Sequence, residues 1–362
     1  MIQAIFNLQS SIFNFLKRLG NVSPFSLFIP HFSSLIPHSL FLIAVFALSS
    51  CFKEKPLAPP GNQGIGQTAV IEMGHDYANQ FFYSLETNRV VSSNSRFAYD
   101  LLFDCGNNDF YIWLNTAKLM SALRTDRTDI KETTIADTTG KHWLYELGEF
   151  NTDSNAIGAW WQALTNQPVS KGEVYIINLG LDDHENNLGY IKLQVNDFNG
   201  SSYSISYAGV NDTLIKTALI QKDATRNYRY FTFNGTGSMV DNIEPAKAEW
   251  DLCFTRYSVV FYDPYYLPYQ VTGVLTNPAK VQAYLDSTVN FNEVEFLDLA
   301  QLQPRRDAIG YEWKRYELGD YITKTWYTFF IKAGEDRFYK LRFIDFKKDG
   351  IWGYPTFEYY RL

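Results

Sequence analysis

The chain has little of what most site chemistries require. Among 362 residues there are 3 Cys, 5 His and 4 Met. The cysteines form no CxxC and no Cys/His cluster, which excludes a zinc framework and a disulfide scaffold. Basic residues are outnumbered, 32 against 39 acidic, and a net charge of −7 gives no positive footprint for a nucleic-acid partner. There is no G-x-S-x-G, no HExxH and no phosphate loop. The glycines at 61–66 follow no strand and read as a spacer. Carboxylate pairs such as Asp182/Asp183 and Glu293/Glu295 occur, but they matter only at a set separation across a cleft. No enzyme is expected. The cleanest apolar run, 40–48, is far short of the roughly 20 residues that span a membrane.

What is abundant is aromatic: 28 Phe, 25 Tyr and 8 Trp. Such rings favour strands and binding surfaces. Hydrophobic residues make up 46% and charged residues 20%, enough apolar material for a sizeable core. The length suits two domains or one large one.

Residues 1–50 contain no Asp or Glu, carry Lys17 and Arg18, and end in Leu48-Ser49-Ser50-Cys51. A positive start, a short apolar stretch and small residues before a cysteine read as an export signal. The L-S-S-C ending resembles a bacterial lipoprotein box, in which Cys51 is lipidated and anchors the chain to the outer membrane or cell surface. Without 1–50 the chain carries 30 basic and 39 acidic residues, net −9. Residues 51–69 are rich in Pro and Gly and read as a tether, able to reach up to roughly 65 Å.

The remainder is self-similar. Tyr99-Asp100-Leu101-Leu102-Phe103 matches Trp250-Asp251-Leu252-Cys253-Phe254, and Ala156-Ile157-Gly158-x-x-Trp161 matches Ala308-Ile309-Gly310-x-x-Trp313. Tyr190-Ile191-Lys192-Leu193 resembles Tyr339-Lys340-Leu341, and Phe81-Phe82-Tyr83-Ser84-Leu85 parallels Arg229-Tyr230-Phe231-Thr232-Phe233. Offsets of 148 to 152 in constant order predict two tandem domains, 70–222 and 223–362. Strands are expected at 174–179, 190–195, 326–332, 338–343 and 356–360, with turns at 182–187 and 333–336. Helices are expected at 114–123 and 278–285, one per domain. The fold class is all-β to β-rich α+β.

Residues 182–187 lack the order of a calcium loop and read as a hairpin tip, with His184 as a polar turn residue. Cys253 replaces Leu102 of the other copy and reads as a buried small side chain. Export leaves a bridge to Cys105 open.

Trp250-Asp251-Leu252-Cys253-Phe254-Thr255-Arg256-Tyr257, with the hairpin Phe338–Phe346 and Phe357-Glu358-Tyr359, resembles the HmuY family, haem-binding lipoproteins of Bacteroidetes. The first copy is similar through Tyr99–Phe103 and 189–198. The resemblance implies two HmuY-like antiparallel β domains, haem held between two axial His or Met side chains, and delivery to an outer-membrane transporter. The second copy has no His and one Met, Met239. The first has Met73, His75, Met120, His142 and His184. Met120 and His142 follow its Asp100 strand, where the family places its ligands, and form the candidate haem pair. Tyr265 or Tyr266 offers iron a tyrosinate oxygen as an alternative, with aromatic packing as the ordinary use of such residues. The alternative is the same fold without haem, recognising a glycan or protein through Trp160, Trp161, Tyr265 and Tyr266.

Overall fold

The structure, a computed structural model, describes residues 66–107, 109–162 and 168–362, all in one compact unit. The expected leader, Cys51 and the tether through residue 65 lie outside the described residues.

Two runs of strands follow each other. The first holds β1 (Gln67–Val70), β2 (Asn79–Ser84), β3 (Arg89–Ser95), β4 (Leu101–Asp104), β5 (Ile112–Leu114) and β6 (Ser121–Arg124). It continues with β7 (Leu144–Tyr145), β8 (Trp161–Gln162), β9 (Val169–Ser170), β10 (Val174–Asn178), β11 (Tyr190–Phe198) and β12 (Ser202–Gly209). The second holds β13 (Lys216–Gln221), β14 (Tyr228–Thr232), β15 (Ser238–Val240), β16 (Leu252–Phe261), β17 (Leu267–Thr276) and β18 (Val281–Asp286). It ends with β19 (Lys314–Glu317), β20 (Asp320–Thr323), β21 (Thr328–Ala333), β22 (Phe338–Lys348) and β23 (Ile351–Arg361). The fold is β-rich and antiparallel, as the aromatic and β-branched runs require.

The larger sheets run β13-β12-β11-β10-β6-β7 and β1-β23-β22-β21-β18, and the smaller ones β15-β14-β4-β5 and β3-β2-β16-β17. The two pairs match strand for strand except that β7 has no counterpart beside β18, and each borrows from the other run. β1, β2 and β3 complete the sheets of the second run, with Tyr83 opposite Leu252. β13, β14 and β15 complete those of the first, with Phe231 opposite Leu101. We call 97–243 the inner module and 66–96 with 250–362 the outer module. The hydrophobic cores obey the same division: Ile71, Met73, Tyr83 and Leu85 pack with Leu252, Phe343 and Phe357, while Phe231 and Phe233 pack with Leu101, Phe103 and Tyr203. The expected cut at 222/223 falls between β13 and β14, inside the inner module. The sequence repeat and the hydrogen-bonded unit are out of phase because the leading strands are exchanged.

Two buried aspartates fasten the exchange. Asp100 accepts from the Phe233 amide at 2.7 Å and pairs with Lys118. Asp251 accepts from the Leu85 amide at 2.8 Å and pairs with Lys280 at 2.9 Å. Leu85 and Phe233 are matched positions of the repeat, so each aspartate caps the leading strand of the opposite run.

Both expected helices are corrected. Residues 114–123 become the end of β5, a 3-10 turn at Thr116–Lys118, Leu119 at φ 58° and then β6. Residues 278–285 become a turn and β18. In Asn115-Thr116-Ala117-Lys118 and Asn277-Pro278-Ala279-Lys280 the asparagine decides the outcome. Asn115 Oδ1 accepts from the Ala117 amide at 2.9 Å while its Nδ2 donates to the Arg96 and Tyr99 carbonyls at 2.8 Å. Asn277 does the same toward Ala279, Lys247 and Trp250. Side-chain bonding of this kind replaces a helical ladder. The helical elements among the described residues are 3-10 turns of three or four residues. The tether is also shorter than expected: Gln67–Val70 pairs with β23, and Ala69 packs on the outer core.

Candidate functional site

The sheet registers place a large cavity. Its volume is about 740 Å³, inside the ~300–1,000 Å³ range of ligand pockets. β16 supplies Tyr257 to Val260, β18 supplies Tyr284 and Leu285, and β21 supplies Phe329. The loop following the 3-10 turn Leu299–Gln301 closes one side. Leu147, Gly148 and Glu149 of the inner module close another, fixed by the Gly148 amide donating to the Ser258 carbonyl at 3.0 Å.

Tyr257 lines this cleft. Only 1% of it is exposed, and its hydroxyl has no hydrogen-bond partner in the protein. A buried hydroxyl without a partner is costly. Burial, then Asp307, Tyr311 and Glu312, hold its acidity well below that of a free phenol, so it stays a neutral donor. Gly148 makes room for the ring, since a Cβ there would lie 2.2 Å from Tyr257 Cδ2, and Gly273 lets the neighbouring backbone approach, since a Cβ there would lie 2.5 Å from the Gly310 carbonyl oxygen. Gly310 itself sits at φ +67°. The charged lining is Arg305 against Glu149, Asp307 and Glu312; Arg305 holds Asp307 through Nε at 3.0 Å and a terminal nitrogen at 2.9 Å. Beside the cleft the β16–β17 hairpin exposes Tyr262, Tyr265, Tyr266 and Tyr269, with the Tyr262 and Tyr266 rings 5.9 Å apart in a T arrangement.

The inner module carries a second cleft, about 510 Å³, that His142 lines. Met120 does not line it: Met120 has no exposed surface and packs in the inner core. His142 is exposed. The two expected haem ligands are thus not brought to one cavity, because Met120 enters β6 on its core face. Met73 is buried, Met239 packs partly buried on the inner core, and His75 is exposed. Trp160 leaves the expected aromatic platform, since it is 1% exposed and donates to the Phe110 carbonyl at 2.8 Å. Trp161 is half-buried, whereas Tyr265 and Tyr266 are open. Asp182, Asp183 and His184 cluster at an exposed hairpin tip, where Asp182 accepts from the His184 and Asn186 amides. Cys105 and Cys253 are both buried and unbridged.

Sequence reading passed over Tyr257, which stood in a strand motif and looked like core. The repeated Ala-Ile-Gly was visible as a repeat, but not as a cleft wall.

No family model matches the chain, and no curated protein matches it. Among solved structures the chain is similar to the apo HmuY analogue of Tannerella forsythia, 13% identical, over 38% of this chain and 88% of that one, at a TM-score of 0.15. A similarity at that level carries neither a ligand nor a site to this chain.

Proposed function

We propose that the protein is a carbohydrate-binding lipoprotein, exported and held by lipidated Cys51, that captures a sugar without transforming it and passes it toward an outer-membrane transporter. The buried, unpartnered hydroxyl of Tyr257, a residue lining a tyrosine-walled cleft, carries this reading. Sugars combine apolar C–H faces, which stack on rings, with hydroxyls that accept from a phenol and donate to carboxylates such as Asp307 and Glu312.

Calorimetry of residues 66–362 with neutral oligosaccharides tests it. Tyr257→Phe removes one hydrogen bond, so affinity is expected to fall about tenfold, for roughly 1 to 1.5 kcal/mol. Since the hydroxyl has no partner within the protein, the melting temperature should hold or rise. A variant that melts lower and binds equally well would sink the reading. Cells carrying Cys51→Ala are expected to shed the protein and its bound sugar.

The haem reading needs axial donors facing one cavity. Among the described residues lining the two clefts, His142 is the lone His or Met. Haemin is therefore expected to give no saturable Soret shift. A sharpened band saturating at one haem per chain, and lost in His142→Ala, would replace the carbohydrate reading.

A further inference from the structure

The two clefts are the same place in two modules. Lys192 of β11 and Lys340 of β22 are matched positions; each is buried and donates from Nζ to loop carbonyls, Thr133 in one case and Phe291 and Val294 in the other. Counting across the sheets from these lysines, Ile176 meets Leu123, and Phe330 meets Tyr284. Leu123, Arg124 and Tyr175 of the inner module therefore stand where Tyr284, Leu285 and Phe329 stand in the outer one. All six line their clefts. So do both Ala-Ile-Gly turns, 156–158 and 308–310, with Gly158 at φ +68° and Gly310 at φ +67°.

The architecture is shared and the chemistry is opposite. The outer cleft sets one cation against three carboxylates, whereas the inner cleft sets Arg124, Lys141 and Lys171 against Asp126. A cation-rich cleft is unusual on a chain of net charge −7. Asp126 is shared: Lys141 takes it at 2.8 Å, and Arg124 reaches it at 3.4 Å and Glu173 at 3.7 Å. Those two arginine contacts are longer than the ~2.7–3.2 Å of a tight N–H···O bond, and the Arg124 side chain is 55% exposed. Its planar fork is open to a bidentate carboxylate.

We propose that the inner cleft is a second binding site that takes a carboxylate-bearing saccharide, with Arg124 clasping the carboxylate and Lys141 and Lys171 completing the positive wall. The site stands apart from the Tyr257 cleft, so the protein carries two saccharide sites of different charge preference. The choice of a sugar over another carboxylate rests on the carbohydrate reading of the outer cleft.

The test is calorimetry of the wild-type protein with trigalacturonate and with its fully methyl-esterified form, which keeps the rings and removes the charge. The acid is expected to bind saturably, one per chain, and to weaken at least fivefold between 50 and 500 mM salt on the order that screening predicts. Arg124→Ala, at an exposed position, should cost about tenfold for a charge-assisted bidentate contact, with partial recovery in Arg124→Lys. Tyr257→Phe should leave this binding unchanged. No binding of the acid, equal binding of the ester, or an Arg124→Ala variant that binds like wild type would each overturn the proposal. Loss in both Arg124→Ala and Tyr257→Phe would mean a single site and overturn it as well. Failure of the neutral sugars alone would strike the outer cleft and leave this one standing.

Discussion

Glu146 shows how far burial governs single side chains here. It is 1% exposed, and its carboxylate accepts from the Asn155 side chain at 3.0 Å and from the Leu114 and Ala156 amides at 3.3 and 3.4 Å. Those bonds favour the ionised form, but desolvation outweighs them and pushes the group up to about 8. Glu244, buried beside Asn227, Tyr228 and Trp250, is pushed to about 7 by the same cause. A carboxyl raised on folding keeps a proton that the unfolded chain releases. Its stabilisation is therefore complete below pH 4.5 and is lost as pH climbs toward 8. Thermal melts of the wild type are expected to fall across that window, and Glu146→Gln should flatten the fall by a few kcal/mol, on the order that the shift implies. An equally steep fall in the variant would show that Glu146 is not the group responsible. Tyr257 belongs to the same scale. Nothing in a local sequence window separates a tyrosine whose hydroxyl is bonded within the protein from one whose hydroxyl is not, so this residue was illegible before the fold was known.

At the scale of elements, the strands that alternate or run apolar between polar turns were legible: Val174–Asn178 falls where the sequence placed it, while Phe338–Lys348 and the closing Ile351–Arg361 contain the expected 338–343 and 356–360 and run on to a tighter turn between them. The failures are equally specific. At 114–123 and 278–285 the apolar residues fit helical spacing, but an asparagine ties three backbone groups and turns the chain back into a sheet. In β18, Val281 and Ala283 enter the outer core while Tyr284 joins a different cluster on the other face, the period of a strand. Asn115→Ala and Asn277→Ala are therefore each expected to lower stability by about 1–3 kcal/mol through unpaired backbone groups, measured by urea denaturation. A change under about 0.5 kcal/mol in either would show that the turn is held by its neighbours instead.

The whole molecule is defined by its exchanged strands. A repeat of about 150 residues was legible, but its folding unit was not, because sequence similarity marks ancestry of segments and hydrogen bonding chooses among segments in space. The outer cleft was illegible for a different reason: its walls come from 147–149 and from beyond residue 256, segments more than a hundred residues apart in the chain. A fragment covering 97–247 contains every strand of the inner sheets and is expected to melt cooperatively with a β-type circular dichroism spectrum. The fragment 70–222, longer at its start, lacks β14 and β15 and leaves β2 and β3 without β16, so it should not. A cooperative 70–222 and an unfolded 97–247 would reverse this account.

β1 pairs with β23 over four residues at a sheet edge, from Gln67 opposite Tyr359 to Val70 opposite Thr356. Any pull transmitted along the preceding chain enters at Gln67 and opens that ladder one rung at a time rather than shearing all rungs together. The molecule's mechanical fuse is thus this four-rung edge pairing, and drag would peel β1 away while both clefts, whose linings include no residue of β1, stay assembled.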